Sequence, residues 1–480
     1  MIDGWGVVVN LSAMTPSDPS PNILTSSRRD FLKTTTKLAA VSALAGVALP
    51  HVHAQSGNEI RIALIGCGGR GGGAASNALS VKTGPMKLVA MADVFENKLN
   101  AAYRGLKNKH GDSVDVPDDR KFLGFDAYKK AMDCLRPGDI AIFTSPLAFR
   151  WVHFTYAIEK KLNVFMEKPL TADGPTSRRM IKLGEEASAK NLKVGVGLMS
   201  RHSRALQELH QRIQDGQLGE ILLMRGYRMA GPLGSAFSLP NPGPMSDLMY
   251  QISKFHSFIW LSGGCFSDFY IHHIDHLCWM KNAWPVKAQA LGGRHYRKSP
   301  SGVDYIDQNF DSYAVEYTFA DGGKMYMDGR CVTGCNDMYF SHVHGTKGMA
   351  IASKNSDCGL PSSIYSTQMP TRASQLWESV VKPDERDPYQ NEWNALTEAI
   401  RNDKPYNEVK RGVEASIATS MGRFAAHTGQ EVTWDDYYNH DIEYAPGADK
   451  LTMDSPSPLL ADTNGRYPIP EPGIKRDREY

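Results

Sequence analysis

"IRIALIGCGGRG", Ile60 to Gly71, is the stretch that decides how this chain is built. Its first part, Ile60 to Gly66, is a near-continuous apolar run that stops at glycine. A run of this length reads as a short strand buried on both faces, as in parallel sheets. The glycines have the spacing G-x-G-x-x-G, at Gly66, Gly68 and Gly71, and the segment "AASNAL" after them is helical in pattern. Strand, glycine turn and helix in that order bring backbone close to a pyrophosphate at a helix N-terminus. Alone the spacing is a weak signal, and its context strengthens it. Asp93 ends the next apolar run, about 20 residues on, where a carboxylate would grip a ribose 2′-hydroxyl and repel a 2′-phosphate. The cofactor read from this is NAD, with NADP less favoured, although Arg70 lies in the loop. The plain alternative is a glycine-rich turn that binds nothing, and Asp93 at the expected distance weighs against it.

The same grammar continues. "MKLVAMAD" (Met86 to Asp93), "DIAIFTSP" (Asp139 to Pro146), "NVFME" (from Asn163) and "LKVGVGL" (Leu192 to Leu198) are further apolar runs. Helical patterns lie between them, for example Trp151 to Lys161 and Gly174 to Lys190. Buried strands alternating with helices predict an α/β domain, a doubly wound parallel sheet of Rossmann type over residues 59–200. Near Gly219 the pattern changes to long alternating strands joined by turns, with "ADGGK" as a hairpin signal. Residues 201–440 therefore predict an α+β domain on an open, mainly antiparallel sheet, with helices over Tyr389 to Asn402 and Val409 to Thr428. Residues 441–480 are rich in Pro, Asp and Ser and read as a tail that wraps a surface or a partner subunit. No internal repeat is visible.

The whole chain, 480 residues with 41% apolar and 22% charged, has the composition of a soluble globular protein of two domains. Lys+Arg is 54 against Asp+Glu 52, a net charge of +2. Scattered charge without aromatic interleaving argues against a nucleic-acid partner. Residues 1–54 read as an export signal: "SRRDFLK" (Ser27 to Lys33) carries a twin arginine, an apolar run follows over Leu38 to Leu49, and "VHA" before Gln55 fits a cleavage site. The apolar run is too short to span a bilayer, so no membrane anchor is expected after cleavage. Residues 1–26 are an extended n-region or a misplaced start, with Met14 an alternative. The destination is the periplasm. Seven cysteines show no framework spacing, and free thiols are expected, although Cys331 and Cys335 could pair.

Two further motifs carry chemistry. "EKP", Glu167 to Pro169, puts a charged pair at the tip of an inner strand, followed by a proline that fixes the turn and could be cis. Adjacent strand residues point to opposite faces, so an ion pair between Glu167 and Lys168 is unnatural. In "GGCFSDFYIHHIDHLCW", Gly263 to Trp279, Asp268 and His272 share a helix face, as do His272 and His276. Asp275, one turn from His272, could orient its ring and raise its basicity, which suits a general base. A metal site from His272, His273 and His276 is a rival reading, but no further carboxylate–histidine set completes it, so no metal is expected. Arg201 and Arg204 could meet a substrate carboxylate or cofactor phosphates, although solvated arginines are the commoner case.

The export signal, "GCGGRG", Asp93, "EKP" and the D-x-x-x-H segment together resemble the Gfo/Idh/MocA oxidoreductases, over Glu59 to about Thr433. The resemblance implies NAD held by Gly66, Gly68, Gly69, Arg70, Gly71, Asp93, Ser145, Glu167 and Lys168. It implies catalysis by Lys168, Asp268 and His272, with a sugar or polyol on the face of the second sheet. It also implies a homo-oligomer. The sequence departs from the family after the third strand, where Arg150 stands at the spacing of a histidine common in relatives and His153 follows one turn later.

The function this implies is hydride transfer from a carbinol carbon of a sugar, polyol or sugar derivative. His272 would take the hydroxyl proton, with Asp268 holding the ring or a neighbouring hydroxyl and Lys168 stabilising alkoxide charge. An exported member would keep its cofactor bound and recycle it between two substrates. The alternatives are a redox-neutral glycoside hydrolase that uses NAD transiently and a non-catalytic sugar-binding protein.

Overall fold

The computed structural model describes residues 58–480, so the expected signal over 1–54 lies outside the described residues. Six strands form the first sheet: β1 (Ile60–Ile65), β2 (Met86–Asp93), β3 (Lys121–Leu123), β4 (Ile140–Phe143), β5 (Asn163–Met166) and β6 (Val194–Val196). Their order is β3-β2-β1-β4-β5-β6 and every pairing is parallel. The chain leaves β1 on one side for β2 and β3 and on the other for β4 to β6. The carboxyl ends of β1 and β4 therefore flank the crevice where such sheets take ligands.

Alternate residues of β1 feed two cores. Ile60, Ile62 and Leu64 pack with Ala74 of the helix Gly69–Leu79 and Leu99 of the helix Glu96–His110. Ala63 and Ile65 pack on the other face with Met132, Phe154 and Met180. The first face is completed from far along the chain. The helix Pro388–Arg401 returns to it and buries Trp393 fully against Phe165, with ring centroids 4.6 Å apart. Truncating such a buried Trp costs about 3–5 kcal/mol, so this return is part of what stabilises the first sheet. The segment expected over residues 201–440 is thus not confined to the second sheet.

The second sheet has nine strands. Its centre is β7 (Ile221–Ala230), β8 (Lys287–Gly293), β9 (Ser312–Thr318), β10 (Lys324–Cys331), β11 (Met338–Gly345) and β12 (Gly348–Lys354). Short strands β13 (Ser363–Tyr365), β14 (Gln375–Glu378) and β15 (Val432–Thr433) extend the edges, in the order β14-β13-β12-β11-β7-β10-β9-β8-β15. The hairpin predicted at "ADGGK" is present, with β9 pairing β10 antiparallel, and β11 pairs β12 in the same way. One pairing departs from the antiparallel pattern, since β7 and β10 run parallel. The helices Gly264–Lys281 and Val409–Thr428 cover one face of this sheet and are buried almost all round.

All seven cysteines are free, with Cys331 buried and Cys335 exposed. The tail forms only one short 3-10 turn, Ala448–Lys450, and wraps back onto its own chain. Glu479 is fully buried beside Arg423 at 2.8 Å and His427 at 2.6 Å, and Tyr480 stacks on Tyr444 at 5.4 Å. Among the described residues no helix is long and apolar enough to cross a membrane.

Candidate active site

The glycine loop leaves β1 with Gly66 at φ +92°, a left-handed conformation that glycine alone adopts freely. A Cβ at Gly71 would lie 2.1 Å from the Gly66 carbonyl oxygen and 2.6 Å from Thr144 Oγ1, so this position closes the helix against the strand. A Cβ at Gly68 or Gly69 would meet nothing within 4 Å. Those two glycines face open space at the helix N-terminus, which is the form of a phosphate cradle. Beside them a cavity is lined by Gly66, Gly68, Asp93, Phe95, Tyr128 and Ser145. The Asp93 carboxylate accepts the Cys67 amide at 2.6 Å and the Phe95 amide at 2.8 Å, which fixes it at the lip of this cavity. The chain therefore fits a dinucleotide: open glycines for a pyrophosphate, an oriented carboxylate for a ribose, and an aromatic and apolar slot beyond.

A second cavity of about 440 Å³ shares Thr144, Ser145 and Pro146 with the first. It is lined from the first sheet by Arg70, Glu167 and Lys168 and from the second domain by Asp268, His272 and Asp357, among others. Its volume is that of a small-ligand site. Lys168 and Asp268, 100 residues apart, meet here: Lys168 Nζ donates to the Asp268 main-chain carbonyl at 2.6 Å and to Oδ1 at 3.2 Å. The Lys168–Pro169 peptide is cis. Glu167 turns the other way and accepts from Arg70 Nε at 2.5 Å. The Arg70 guanidinium also lies 3.5 Å from Glu392 and 4.4 Å above the Tyr389 ring. Arg70 and Glu167 are thus bound to each other. They tie the glycine loop to the tip of β5 and leave Lys168 facing the cavity.

Asp268 and His272 lie on one helix and line one cavity, as their spacing predicts, but no hydrogen bond joins them. The second oxygen of Asp268 faces His256 Nε2 at 3.5 Å. His272 Nδ1 is buried without a partner, which leaves Nε2 to meet a ligand. Burial lowers the His272 pKa from its ordinary value, so the ring is neutral and able to accept a proton. The expectation that Asp275 orients His272 is overturned. Asp275 is fully buried and takes a bidentate grip from Arg201, with contacts of 2.7 and 3.0 Å. A guanidinium fork outcompetes a neutral imidazole for a carboxylate. The same pair overturns the reading of Arg201 as a phosphate or substrate ligand, while Arg204 is half-exposed and pairs with Glu385 at 3.2 Å.

His272, His273 and His276 do not converge. His276 bonds Ser341 at 2.7 Å, and both ring nitrogens of His273 are buried without partners. Arg150, the departure noted in the sequence, is buried beneath the site. It donates to the Phe143 carbonyl at 2.5 Å and the Ser145 carbonyl at 3.0 Å, locking the turn after β4. Desolvation lowers its pKa to about 10. His153 contacts Ser145 Oγ at 3.2 Å, and burial, then the nearby Arg150 charge, lowers its pKa to about 3.

Sequence reasoning missed His256, Asp357, Tyr339 and Arg228, all of which line the second cavity. Burial pushes the Asp357 carboxyl up. The charge that His272 or His273 carries when it takes up a proton, with hydrogen bonds from Tyr339 and Cys358, outweighs this and holds it well below the usual carboxylate range. Asp357 is therefore the carboxylate whose field His272 feels most. The alternation of β7 and β11 could have placed Arg228 and Tyr339 on the helix-facing side. Nothing local marks Asp357, which follows β12 in a loop.

Residues 206–351 match the model of the GFO/IDH/MocA C-terminal domain. They span the strands that carry Arg228 and Tyr339 and the helix that carries Asp268 and His272. Over these residues the chain is similar to the Gfo/Idh/MocA family. Among similar proteins, an inositol 2-dehydrogenase of Saccharopolyspora erythraea is 30% identical over 212 residues, 43% of this chain and 55% of that protein. One from Corynebacterium glutamicum is 26% identical over 128 residues, 26% of this chain and 35% of that protein. The chain thus spans between about a third and about half of the length of these curated relatives. Its fold is similar to that of the scyllo-inositol dehydrogenase of Lactobacillus casei, solved with NAD(H) and scyllo-inositol. That comparison has a TM-score of 0.56 at 21% identity, over 79% of this chain and 100% of the other.

Proposed function

We propose that the protein is an NAD-dependent oxidoreductase that converts a carbinol carbon of a sugar or polyol to a carbonyl. The observation that carries this is the meeting of Lys168, Asp268 and His272 in one cavity that adjoins the open glycine loop. NAD, when bound, supplies the acceptor for the hydride that leaves the carbinol carbon. His272 Nε2 takes the hydroxyl proton as the carbon–hydrogen bond breaks, and burial keeps that ring neutral beforehand. Lys168 Nζ holds the substrate oxygen and offsets its developing negative charge. Asp268 positions Lys168 through both its carbonyl and its carboxylate. The oriented Asp93 carboxylate favours a free 2′-hydroxyl, hence NAD over NADP.

The test begins with purified protein. Denaturation should release nicotinamide, read by absorbance, or added NAD should bind. A panel of sugars and polyols is then followed for reduced cofactor and for free reducing ends. Absence of nicotinamide binding would sink the proposal, and cleavage without net reduction would replace it with the hydrolase reading. Retained nicotinamide that is reduced by one sugar and reoxidised by another would support internal recycling.

Two further parts of the proposal rest on the sequence and the surface. Export by the twin-arginine route to the periplasm rests on Arg28 and Arg29, and replacing both with lysine should leave the precursor in the cytoplasm. A homo-oligomer would pair through the outward face of the second sheet, where the Tyr227 and Phe340 rings pack at 4.5 Å and Leu291 is 78% exposed. Sedimentation of a purely monomeric species would refute that.

A further inference from the structure

The face of the second sheet that meets the helix Gly264–Lys281 is almost without charge. In register across β10, β7 and β11 it reads Met325, Met224 and Val343, then Met327, Gly226 and Ser341, then Gly329, Arg228 and Tyr339. Among the described residues of these three strands that point to this face, Arg228 is the one charged side chain. It is half-buried and lines the same cavity as Lys168 and His272. Its guanidinium carbon lies 3.7 Å from the centroid of the Tyr339 ring, so the ring covers one flat side and leaves the donor edge free.

Among the described residues, no acceptor or carboxylate reaches that edge, and the Nε atom is buried without a partner. Each carboxylate around the cavity is engaged elsewhere. Glu167 is held by Arg70, Asp268 by Lys168, and Asp357 by Tyr339 and Cys358. A guanidinium nitrogen kept from water with no acceptor is costly, and proteins seldom keep one without use. Other arginines of this chain also leave Nε unpartnered, but their terminal nitrogens are engaged: Arg150 donates to the Phe143 and Ser145 carbonyls, Arg401 to the Asn58 and Pro85 carbonyls and Arg411 to Glu408, whereas Arg228 has no such partner among the described residues.

We propose that Arg228, backed by Tyr339, is a subsite for an anionic group on the substrate, so that the sugar oxidised is a sugar acid or a sugar phosphate rather than a neutral polyol. This rests on the oxidoreductase reading and names the substrate class for that site. A planar fork of donors meets two oxygens of a carboxylate or a phosphate at once, which a neutral hydroxyl cannot match. The anionic end would lie on the second sheet, and the carbinol to be oxidised would face Lys168 and His272.

The test offers full-length protein with NAD three matched sets: hexoses of gluco, galacto and manno configuration, the corresponding hexuronic acids, and the corresponding hexose phosphates. The expected result is a kcat/KM for one charged set at least about tenfold above its neutral counterpart, the scale of one charge-assisted pair. Preference for the acids identifies a carboxylate, and preference for the phosphates identifies a phosphate. In Arg228→Gln the ratio of charged to neutral substrate should collapse by about 10- to 100-fold, mainly through KM. Arg228→Lys keeps the charge without the fork, so its ratio should fall in between, and it serves if the glutamine variant does not fold. Equal use of neutral and charged sugars by the wild type overturns the subsite, as does an equal loss on both in the variants. If no sugar is oxidised, the activity reading fails by itself. The subsite is then read by calorimetric titration of hexuronic acid and hexose phosphate into NADH-loaded protein. Binding that Arg228→Gln removes supports it, and absence of binding overturns it.

Discussion

Alanine at Gly68 and at Gly71 separates the fold of the glycine loop from its proposed use. Gly68 has φ −69° and ψ −177°, a backbone that alanine adopts without strain, and its Cβ would meet nothing within 4 Å. The change should move stability by no more than about 1 kcal/mol, because a poorer N-cap is offset by a stiffer unfolded chain. The new methyl group would stand in the open space where backbone amides are to approach a pyrophosphate. Losing one charge-assisted hydrogen bond there is about 1.5–3 kcal/mol, or about 10- to 100-fold in NADH affinity. Gly71 is the opposite case. Its Cβ would sit 2.1 Å from the Gly66 carbonyl oxygen, so backbone must shift by about 1 Å to regain ordinary contact. Overpacking against fixed backbone should cost about 1–3 kcal/mol or more in stability, with binding lost as well. Thermal melting and NADH fluorescence titration read the two quantities separately. A Gly68→Ala protein that melts like the wild type and binds NADH within about threefold of it would refute the cradle.

Three other outcomes follow from the same geometry. Lys168→Ala should lower kcat by about 10²- to 10³-fold, the scale of losing one electrostatic contact to a developing oxyanion, while NADH titration still saturates; unchanged turnover would remove Lys168 from the reaction. The kcat/KM profile should fall on the acid side as His272 gains a proton, at a pH below the ordinary histidine value of about 6.5, because burial lowers its pKa. The acid limb should vanish in His272→Gln. Glu479→Ala should destabilise the protein by about 3–5 kcal/mol by leaving Arg423 buried and uncompensated. Burial pushes the Glu479 carboxyl up, but Arg423 and His427 hold it well below the usual range, so its contribution is present above the unfolded value of about 4.3 and lost as pH falls through the folded one. Wild-type melting temperature should therefore drop on acidification more than that of the variant.

What was legible in the sequence is what short-range periodicity and steric rules determine. The buried run of β1, the glycines after it and Asp93 at the end of β2 are consequences of local backbone need, and they stand where they were expected. So do the two late helices, one of which starts at Pro388 with Asp387 as its cap. The site was legible only in its halves. "EKP" and D-x-x-x-H are each local, and their meeting at 3.2 Å depends on how two sheets are set against each other. Helical spacing puts Asp275 one turn from His272, but spacing says which residues share a face, not which opposite charge lies nearest from another element. Arg201, 74 residues away, claims Asp275, and the carboxylate that His272 does feel, Asp357, follows a different strand.

The same reason explains why the charges on "EKP" were hard to read. Adjacent residues at a strand tip face opposite ways, so Glu167 and Lys168 do not pair, yet each needed a partner, Glu167 being buried and Lys168 half-buried. The fold brings Arg70 to one and Asp268 to the other, from chain positions 97 residues before and 100 residues after. Pairing Glu167 removes the negative charge that would otherwise weaken Lys168 as an anion holder. Arg228 is the guanidinium of the cavity without a hydrogen-bond partner among the described residues, whereas Arg70 donates to Glu167 and Arg150 to main-chain carbonyls. An unpartnered donor is informative only once the partners of its neighbours are known, and those are set by the fold.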